Sequence, residues 1–343
     1  MSTVSQWEFD TSSETAWERM LGACGKAKHT IDMEHFIMGA EGQVIDEFVS
    51  VFREKVKVGV RIRMLLDIVG SFSFYHSDLR TELEGIGIEI RFHSTIIPPR
   101  LRRFMPFLLR DHRKLLIVDD VEVHVGGVII EERAREWRDT NVRLVGSIAE
   151  DATVLFAAAW EKTDRMKPAG PAVTNDDKTF YLAGNSYDLR HKILYGVMVR
   201  GLVSAKRYIH VTTPYFALTR DVRRAIVYAQ GNGAEVIFLL PKRSDNFFAD
   251  VLARFFYPWL LRHRVRIFHY TDGILHTKAI VVDGSWSTVG SCNLDWLSTW
   301  LNYELNLVST DEAFTGDLES QFQEDLRISY EVTPRTKGWY GFF

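Results

Sequence analysis

Two short segments carry residues able to do phosphoryl chemistry. Residues 111 to 127 read DHRKLLIVDDVEVHVGG, and residues 275 to 295 read LHTKAIVVDGSWSTVGSCNLD. Each holds a histidine and, two residues on, a lysine, followed by an apolar run with the character of a β-strand. Side chains at i and i+2 of a strand share a face, so His112 projects with Lys114 and His276 with Lys278. Two imidazoles and two ammoniums converging on one cleft suit a phosphodiester. The lysines would neutralise the non-bridging oxygens as charge builds in the transition state. One neutral histidine would attack phosphorus, and the other, protonated, would donate to the leaving oxygen. An imidazole can do either near neutral pH, so this chemistry calls for no metal and no cofactor.

The segments are copies of one another. His112, Lys114, Asp119 and Gly126 match His276, Lys278, Asp283 and Gly290 at a constant offset of 164. A second match, at 165, pairs Asp139 with Glu304 and Asn141 with Asn306. A catalytic histidine needs a partner on its second nitrogen to fix its tautomer, commonly a carboxylate, and Asp139 and Glu304 are the candidates. Asp119 and Asp283, five residues beyond the lysines, read as turn-formers, as do Gly126, Gly290, Ser291 and Cys292.

The elements that must carry these residues also repeat. Strands such as VRIRMLLDIV and AEVIFLLP alternate with helical patterns near 14–27, 42–56, 190–206, 219–231 and 245–262. That alternation predicts an α/β fold, and the apolar runs suit strands covered on both faces. The reading divides the chain into halves at 1–166 and 179–343, with the Pro- and Asp-containing stretch 167–178 as linker. If the halves pack about a pseudo-twofold axis, each chain holds one complete site, and a dimer is not required.

The composition sets bounds. The 343 residues are 46% apolar, enough for a sizeable core, and the net charge of −3 gives no global signature of nucleic-acid binding. Two cysteines exclude a disulfide framework and fit a reducing compartment. The polar, acidic N-terminus does not read as a secretion signal, and no window reads as a transmembrane helix.

The full pattern, His-x-Lys, four residues, Asp, six residues, Gly-Ser-x-Asn, resembles the signature of the phospholipase D superfamily. It is complete in HTKAIVVDGSWSTVGSCN and nearly so in HRKLLIVDDVEVHVGGVI. The flanking text RDHRKLLIVD, WRDTNVRL, LLDIVGS, TTPYFAL and ILHTKAIVVD is similar to that of bacterial cardiolipin synthases, from about Ile31 to Leu326. The resemblance implies two pseudo-twofold-related α/β halves, each a mixed β-sheet flanked by helices. It implies His112 as nucleophile and His276 as general acid, although pseudo-symmetry leaves the reverse open. Lys114, Lys278 and Asn293 would hold the phosphate. Asp139 and Glu304 would each reach the histidine of the other half. The implied reaction makes cardiolipin from phosphatidylglycerol through a phosphatidyl-histidine, releasing glycerol, with the chain peripheral on the cytoplasmic face of the bacterial inner membrane. Hydrolysis of the intermediate by water, a nuclease of the same superfamily, and a non-catalytic lipid-binding protein are the rival readings; nucleic acid is not the expected partner.

Two features depart from the pattern. Ile129 stands where the first copy would carry the asparagine that Asn293 supplies in the second. The N-terminal membrane helices of many cardiolipin synthases are missing from this sequence. The approach to His112, IIPPRLRRFMPFLLRDHRK, alternates Arg100, Arg102, Arg103 and Arg110 with apolar residues including Phe104. That mix predicts a segment meeting anionic lipid, with the helix 245–262 as a second such surface. His35, His124 and His269 belong to no constellation.

Overall fold

The computed structural model describes residues 3–93, 110–162, 179–185 and 192–333. The first half runs β1 (Gln6–Asp10), α1 (Ser13–Lys26), β2 (Thr30–His35), α2 (Gln43–Lys57), β3 (Arg61–Asp67), α3 (Phe72–Tyr75), α4 (Asp78–Gly85) and β4 (Glu89–His93). It continues with β5 (Lys114–Val118), β6 (Glu122–Gly126), β7 (Asn141–Val145) and α5 (Ile148–Lys162). The second half runs β8 (Phe180–Asn185), α6 (Ile193–Ser204), β9 (Tyr208–Thr212), α7 (Arg220–Gly231), β10 (Glu235–Pro241), α8 (Phe247–Arg262) and β11 (Arg266–Tyr270). After these come β12 (Ala279–Val282), β13 (Trp286–Gly290), α9 (Trp296–Trp300), β14 (Glu304–Ser309), α10 (Glu312–Arg327) and β15 (Ser329–Glu331).

The strands form two mixed sheets of the same plan. The first has the order β1-β7-β6-β5-β2-β3-β4 and the second β15-β11-β10-β9-β12-β13-β14-β8. In each, parallel strands joined by helices (β2-β3-β4 and β9-β10-β11) meet an antiparallel meander (β5-β6-β7 and β12-β13-β14). The α/β alternation in the sequence thus gives an α/β fold with helices on the sheet faces. Strand β1 lies in the N-terminal stretch whose polarity hid it; its Trp7 and Phe9 pair across to Leu144 and Val142. The linker 167–178 lies outside the described residues.

Three large apolar clusters hold these layers. One joins α1 and α2 to the first sheet, and a second joins α6, α7 and α8 to the second sheet. A third lies between the sheets, where Leu115, Ile117, Val123 and Val125 meet Ala279, Val289, Leu305 and Leu307, with Phe156 of α5 and Phe314 of α10 at its flanks. The inner faces of the two histidine-bearing meanders are therefore buried against each other.

The motif aspartates act as clasps. Asp119 and Asp283 take positive φ of 53° and 55° at the β5–β6 and β12–β13 turns, a conformation that aspartate tolerates better than most residues. The Asp119 carboxylate accepts from the backbone N–H groups of Lys28, His29 and Thr30 at 2.7 to 2.8 Å. Asp283 does the same for Lys206, Arg207 and Tyr208. Each clasp ties a meander turn to the start of the neighbouring parallel strand. Burial pushes both carboxyls up, but the backbone donors more than reverse it and hold them below the usual range. A lowered folded-state pKa stabilises the fold above the unfolded carboxylate value, and the gain is lost as pH falls through the lowered one. Asp283→Ala is expected to cost ~2–3 kcal/mol, read as a lower urea midpoint at neutral pH. The difference from wild type should shrink in acid, and an unchanged midpoint at neutral pH would refute the clasp.

Candidate active site

His112 lies two residues before β5 and His276 three before β12, and each backbone is stitched to the opposite half. The His112 N–H donates to the Tyr303 carbonyl at 2.9 Å, and the His276 N–H to the Arg138 carbonyl at 2.7 Å. Short parallel bridges, Asp111 with Tyr303 and Arg138 with Leu275, frame these bonds. Tyr303 immediately precedes Glu304, and Arg138 immediately precedes Asp139. The stitch that fixes each histidine therefore also fixes the carboxylate facing it. His112 Nδ1 is 3.0 Å from Glu304 Oε2, and His276 Nδ1 is 2.6 Å from Asp139 Oδ2. With Nδ1–H donated to a carboxylate, each ring directs its Nε2 lone pair away from that partner.

The carboxylates are held by small neighbours. Asp139 Oδ1 accepts from the Thr140 N–H at 2.8 Å, and a Cβ on Gly127 would run into this carboxylate. The position matching Gly127 is Ser291, whose hydroxyl donates to Glu304 Oε2 and accepts from the Leu305 N–H at 3.0 Å. A short acid beside glycine and a longer acid beside serine fill matching spaces. Gly126 and Gly290 pair with Asn141 and Asn306. A Cβ at Gly126 would meet the Thr140 carbonyl, and one at Gly290 the Leu305 carbonyl, so close backbone approach requires glycine.

The lysines are almost fully buried, Lys114 and Lys278 each at 2% exposure. Lys114 Nζ donates to the His112 carbonyl at 2.6 Å; Lys278 Nζ donates to the His276 carbonyl and lies 2.8 Å from His276 Nδ1. Burial pushes Lys114 down to about 7; Glu304 opposes this, and Lys278 lowers it further. Burial likewise pushes Lys278 down to about 8, against Asp139. His276 is lowered to about 4 by burial and by Lys278, with Asp139 pulling upward. His112 is also lowered by burial, with Glu304 opposing. Burial raises Asp139, yet Lys278 and His276 outweigh it, so this carboxylate stays ionised. Two cations that are reluctant to stay charged are relieved by an anion. Turnover of a phosphodiester should therefore show kcat/KM, already limited above about 4 by loss of the His276 proton in the free enzyme, falling more steeply as pH rises through about 7 to 8, where Lys114 and Lys278 lose their protons. kcat should hold to higher pH, because the bound phosphate raises both lysine pKa values. Separate pH profiles of the two parameters test this, and a kcat/KM unchanged across that interval would contradict it.

Asn293 is buried at 4%, and among the described residues its Oδ1 has no hydrogen-bond partner. An orphaned buried amide three residues beyond the motif glycine fits a ligand contact. Ile129, at the matching place, is instead part of the first-half core, and its carbonyl accepts from Trp17 Nε1 at 2.9 Å. The Cys292 thiol is buried and pushed well up by burial, which makes it inert as a nucleophile.

Other groups around the site were not singled out by the motif. Phe36 stands 4.8 Å from the His112 ring and 5.2 Å from Lys114 Nζ. Trp137 stands 5.0 Å from the His276 ring, and Tyr215, bonded to Asp245, at 6.1 Å. Arg138 donates to the Asp139 carbonyl, Thr140 Oγ1 and Thr277 Oγ1 while pairing with Asp325. Beneath His112, Arg113 pairs with Glu34 and Asp111. The sequence did carry a signal for these last groups, since RDHRK and WRDT set opposite charges beside a site residue.

The expected lipid-facing segment needs one correction. Arg110 is 7% exposed and its guanidinium meets Asp67 at 3.3 Å, while its carbonyl accepts from the Tyr303 N–H. An arginine paired with a buried carboxylate at the end of β3 supports the frame of His112 and does not reach a membrane. Arg100, Arg102, Arg103 and Phe104 lie outside the described residues. No helix among the described residues is long and apolar enough to cross a membrane.

Known proteins are similar to this chain over most of its length. A family model described as cardiolipin synthase, PLD-like domain, matches residues 198–326, which include the second motif. Cardiolipin synthase A of Serratia proteamaculans is 28% identical over 334 residues, covering 92% of this chain and 68% of that one. The Proteus mirabilis protein of the same name is 28% identical over 340 residues, covering 94% and 69%. Among solved structures, the phosphatidylserine synthase of Haemophilus influenzae superposes with a TM-score of 0.75 at 13% identity, covering 96% of this chain and 89% of that one. The polyphosphate kinase of Porphyromonas gingivalis gives 0.66 at 12% identity, covering 95% and 48%. At such identities these two structures speak to the fold alone. The doubled motif, the paired sheets and these likenesses agree: along nearly its whole length the chain is similar to enzymes of the phospholipase D superfamily, cardiolipin synthases among them.

Proposed function

We propose that the protein is a phosphatidyltransferase that makes cardiolipin from phosphatidylglycerol. The observation that carries this reading is the reciprocal crossing of the two histidine–carboxylate pairs, which brings His112 and His276 to one site with Lys114 and Lys278. Similarity to cardiolipin synthase A along nearly the whole chain supports the lipid substrate.

In this mechanism Lys114, Lys278 and Asn293 hold the phosphodiester. The anion raises the imidazole pKa values that burial had lowered, so one ring enters the reaction protonated. His112 Nε2 attacks phosphorus and the P–O bond to the glycerol headgroup breaks. His276 gives its proton to that oxygen, and free glycerol departs. A hydroxyl of a second phosphatidylglycerol then passes its proton to His276 and attacks phosphorus. The P–N bond breaks, giving cardiolipin and the resting enzyme. Glu304 and Asp139 hold the two rings in one tautomer and stabilise them when charged. One site serves each chain, which would work as a peripheral protein at the cytoplasmic face of the inner membrane.

The test uses purified protein and phosphatidylglycerol vesicles, with products followed by mass spectrometry. Cardiolipin and glycerol in equal amounts are expected. Phosphatidic acid instead would make water the acceptor. Neither product from folded, vesicle-bound protein would overturn the lipid reading and turn attention to other phosphodiesters, nucleic acid first.

A further inference from the structure

Helix α8 is apolar on two sides. Ala253, Tyr257 and Leu260, at i, i+4 and i+7, are buried against the second sheet. Away from them, Phe247 is 63% exposed, Phe248 82% and Leu252 42%. Nothing in the packing of the fold accounts for two phenylalanines at the first turn of a helix standing in solvent. A second exposed pair, Trp296 at 46% and Trp300 at 41%, lies on α9. Segment 215–218 runs between the two helices. Phe216 packs on Phe256 and Tyr257 of α8 and is bridged to Leu294, just before α9. Tyr215 of the same segment stands beside His276 and bonds Asp245, which precedes the α8 cap Asn246. The exposed side chains thus flank the segment that walls the catalytic histidine.

We infer that Phe247, Phe248 and Leu252 of α8, with Trp296 and Trp300 of α9, form a face that inserts into an anionic bilayer and sets the mouth of the site against it. The inference rests on the lipid reading above. Phenylalanine and leucine at a helix start suit the acyl boundary, and tryptophan suits the headgroup level. The charges around this face match an anionic surface. Lys242 and Arg243 precede α8, Arg262 and Arg264 follow its stripe, and all four are exposed. Lys192 Nζ lies 3.5 Å from the Trp300 ring. The nearby acids are engaged: Asp245 with Tyr215, Asp250 with the Ser244 N–H and Asp295 as the α9 cap. A phospholipid lying in the bilayer could then present its headgroup to His276 while its acyl chains stay in the membrane.

The experiment is co-sedimentation of the full chain with vesicles of phosphatidylserine and phosphatidylcholine. Turnover of bis-p-nitrophenyl phosphate, a soluble diester, is measured alongside. For the double variant Phe247→Ser, Phe248→Ser, vesicle affinity should fall ~10-fold or more, because two large apolar groups no longer leave water. Soluble turnover should be unchanged. Leu252→Ser should act in the same direction with a smaller effect, and indole fluorescence of wild type should be quenched by brominated lipid. The inference is overturned if wild type does not bind these vesicles, which would leave the face to a protein partner. It is also overturned if the double variant binds as wild type does, or if both activities fall together, which would make the phenylalanines structural supports. Vesicle binding that follows this pattern without cardiolipin synthesis would sink the proposed reaction and leave the membrane face standing.

Discussion

His112→Ala is expected to abolish turnover of every phosphodiester, a loss of ~10⁴-fold or more, because it removes the nucleophile and leaves only binding and charge. His276→Ala should lose as much on a natural lipid, whose alkoxide leaving group needs a proton. The two variants should separate on a substrate with a good leaving group such as p-nitrophenolate, which departs unprotonated. There His276→Ala should release a burst of nitrophenol and retain a covalent phosphoryl adduct on His112. His112→Ala should give neither. Rapid-quench kinetics and intact-protein mass spectrometry read the difference. An adduct on His276 in the His112 variant would reverse the assignment of nucleophile and acid, which the matched hydrogen bonding of the two rings does not by itself distinguish.

The second large effect belongs to the carboxylates. Glu304→Gln keeps the shape of the side chain but offers His112 a neutral amide whose orientation can favour the wrong tautomer. Asp139→Asn does the same to His276. Each is expected to lower kcat by roughly 10³–10⁴-fold. Glu304 is wholly buried and held by Ser291, and Asp139 is held by the Thr140 N–H. The amides should therefore fold with the site geometry retained, which an unchanged thermal midpoint would show. The signature of tautomer control is a fall in kcat with little change in KM. If KM rose and kcat held, the carboxylates would be serving substrate binding instead.

The sequence exposed the chemistry better than the surroundings. The His-x-Lys pairs were visible because the constant offset marked a repeat, although the histidines sit just ahead of β5 and β12 and not on the strand faces that a period of two suggested. Asp139 and Glu304 were visible because the repeat extends past the meander at a register of 165. The aspartate clasps showed only as turn-formers, since their backbone donors lie 75 to 91 residues away in the chain. Strand β1 was hidden by polar residues that suit an edge strand. Arg110 was misread because an arginine beside phenylalanine and leucine looks the same whether it meets lipid or a buried Asp67. Ile129 was correctly seen as a departure, but that it joins the core with Trp17 depends on packing that a linear pattern does not encode.

The crossed stitching of the halves has a consequence for how such a chain can change over time. Each histidine owes its orientation to the other copy: the Tyr303 carbonyl and Glu304 hold His112, and the Arg138 carbonyl and Asp139 hold His276. A duplicated segment is ordinarily free to drift once its twin retains the original task. Here neither copy has a task of its own, since neither encloses a finished histidine–carboxylate pair. A change near one histidine is tested by selection only in company with residues more than a hundred positions distant. The two copies are therefore held together as a single heritable unit, while positions such as Ile129, facing the private core of one copy, are left to diverge.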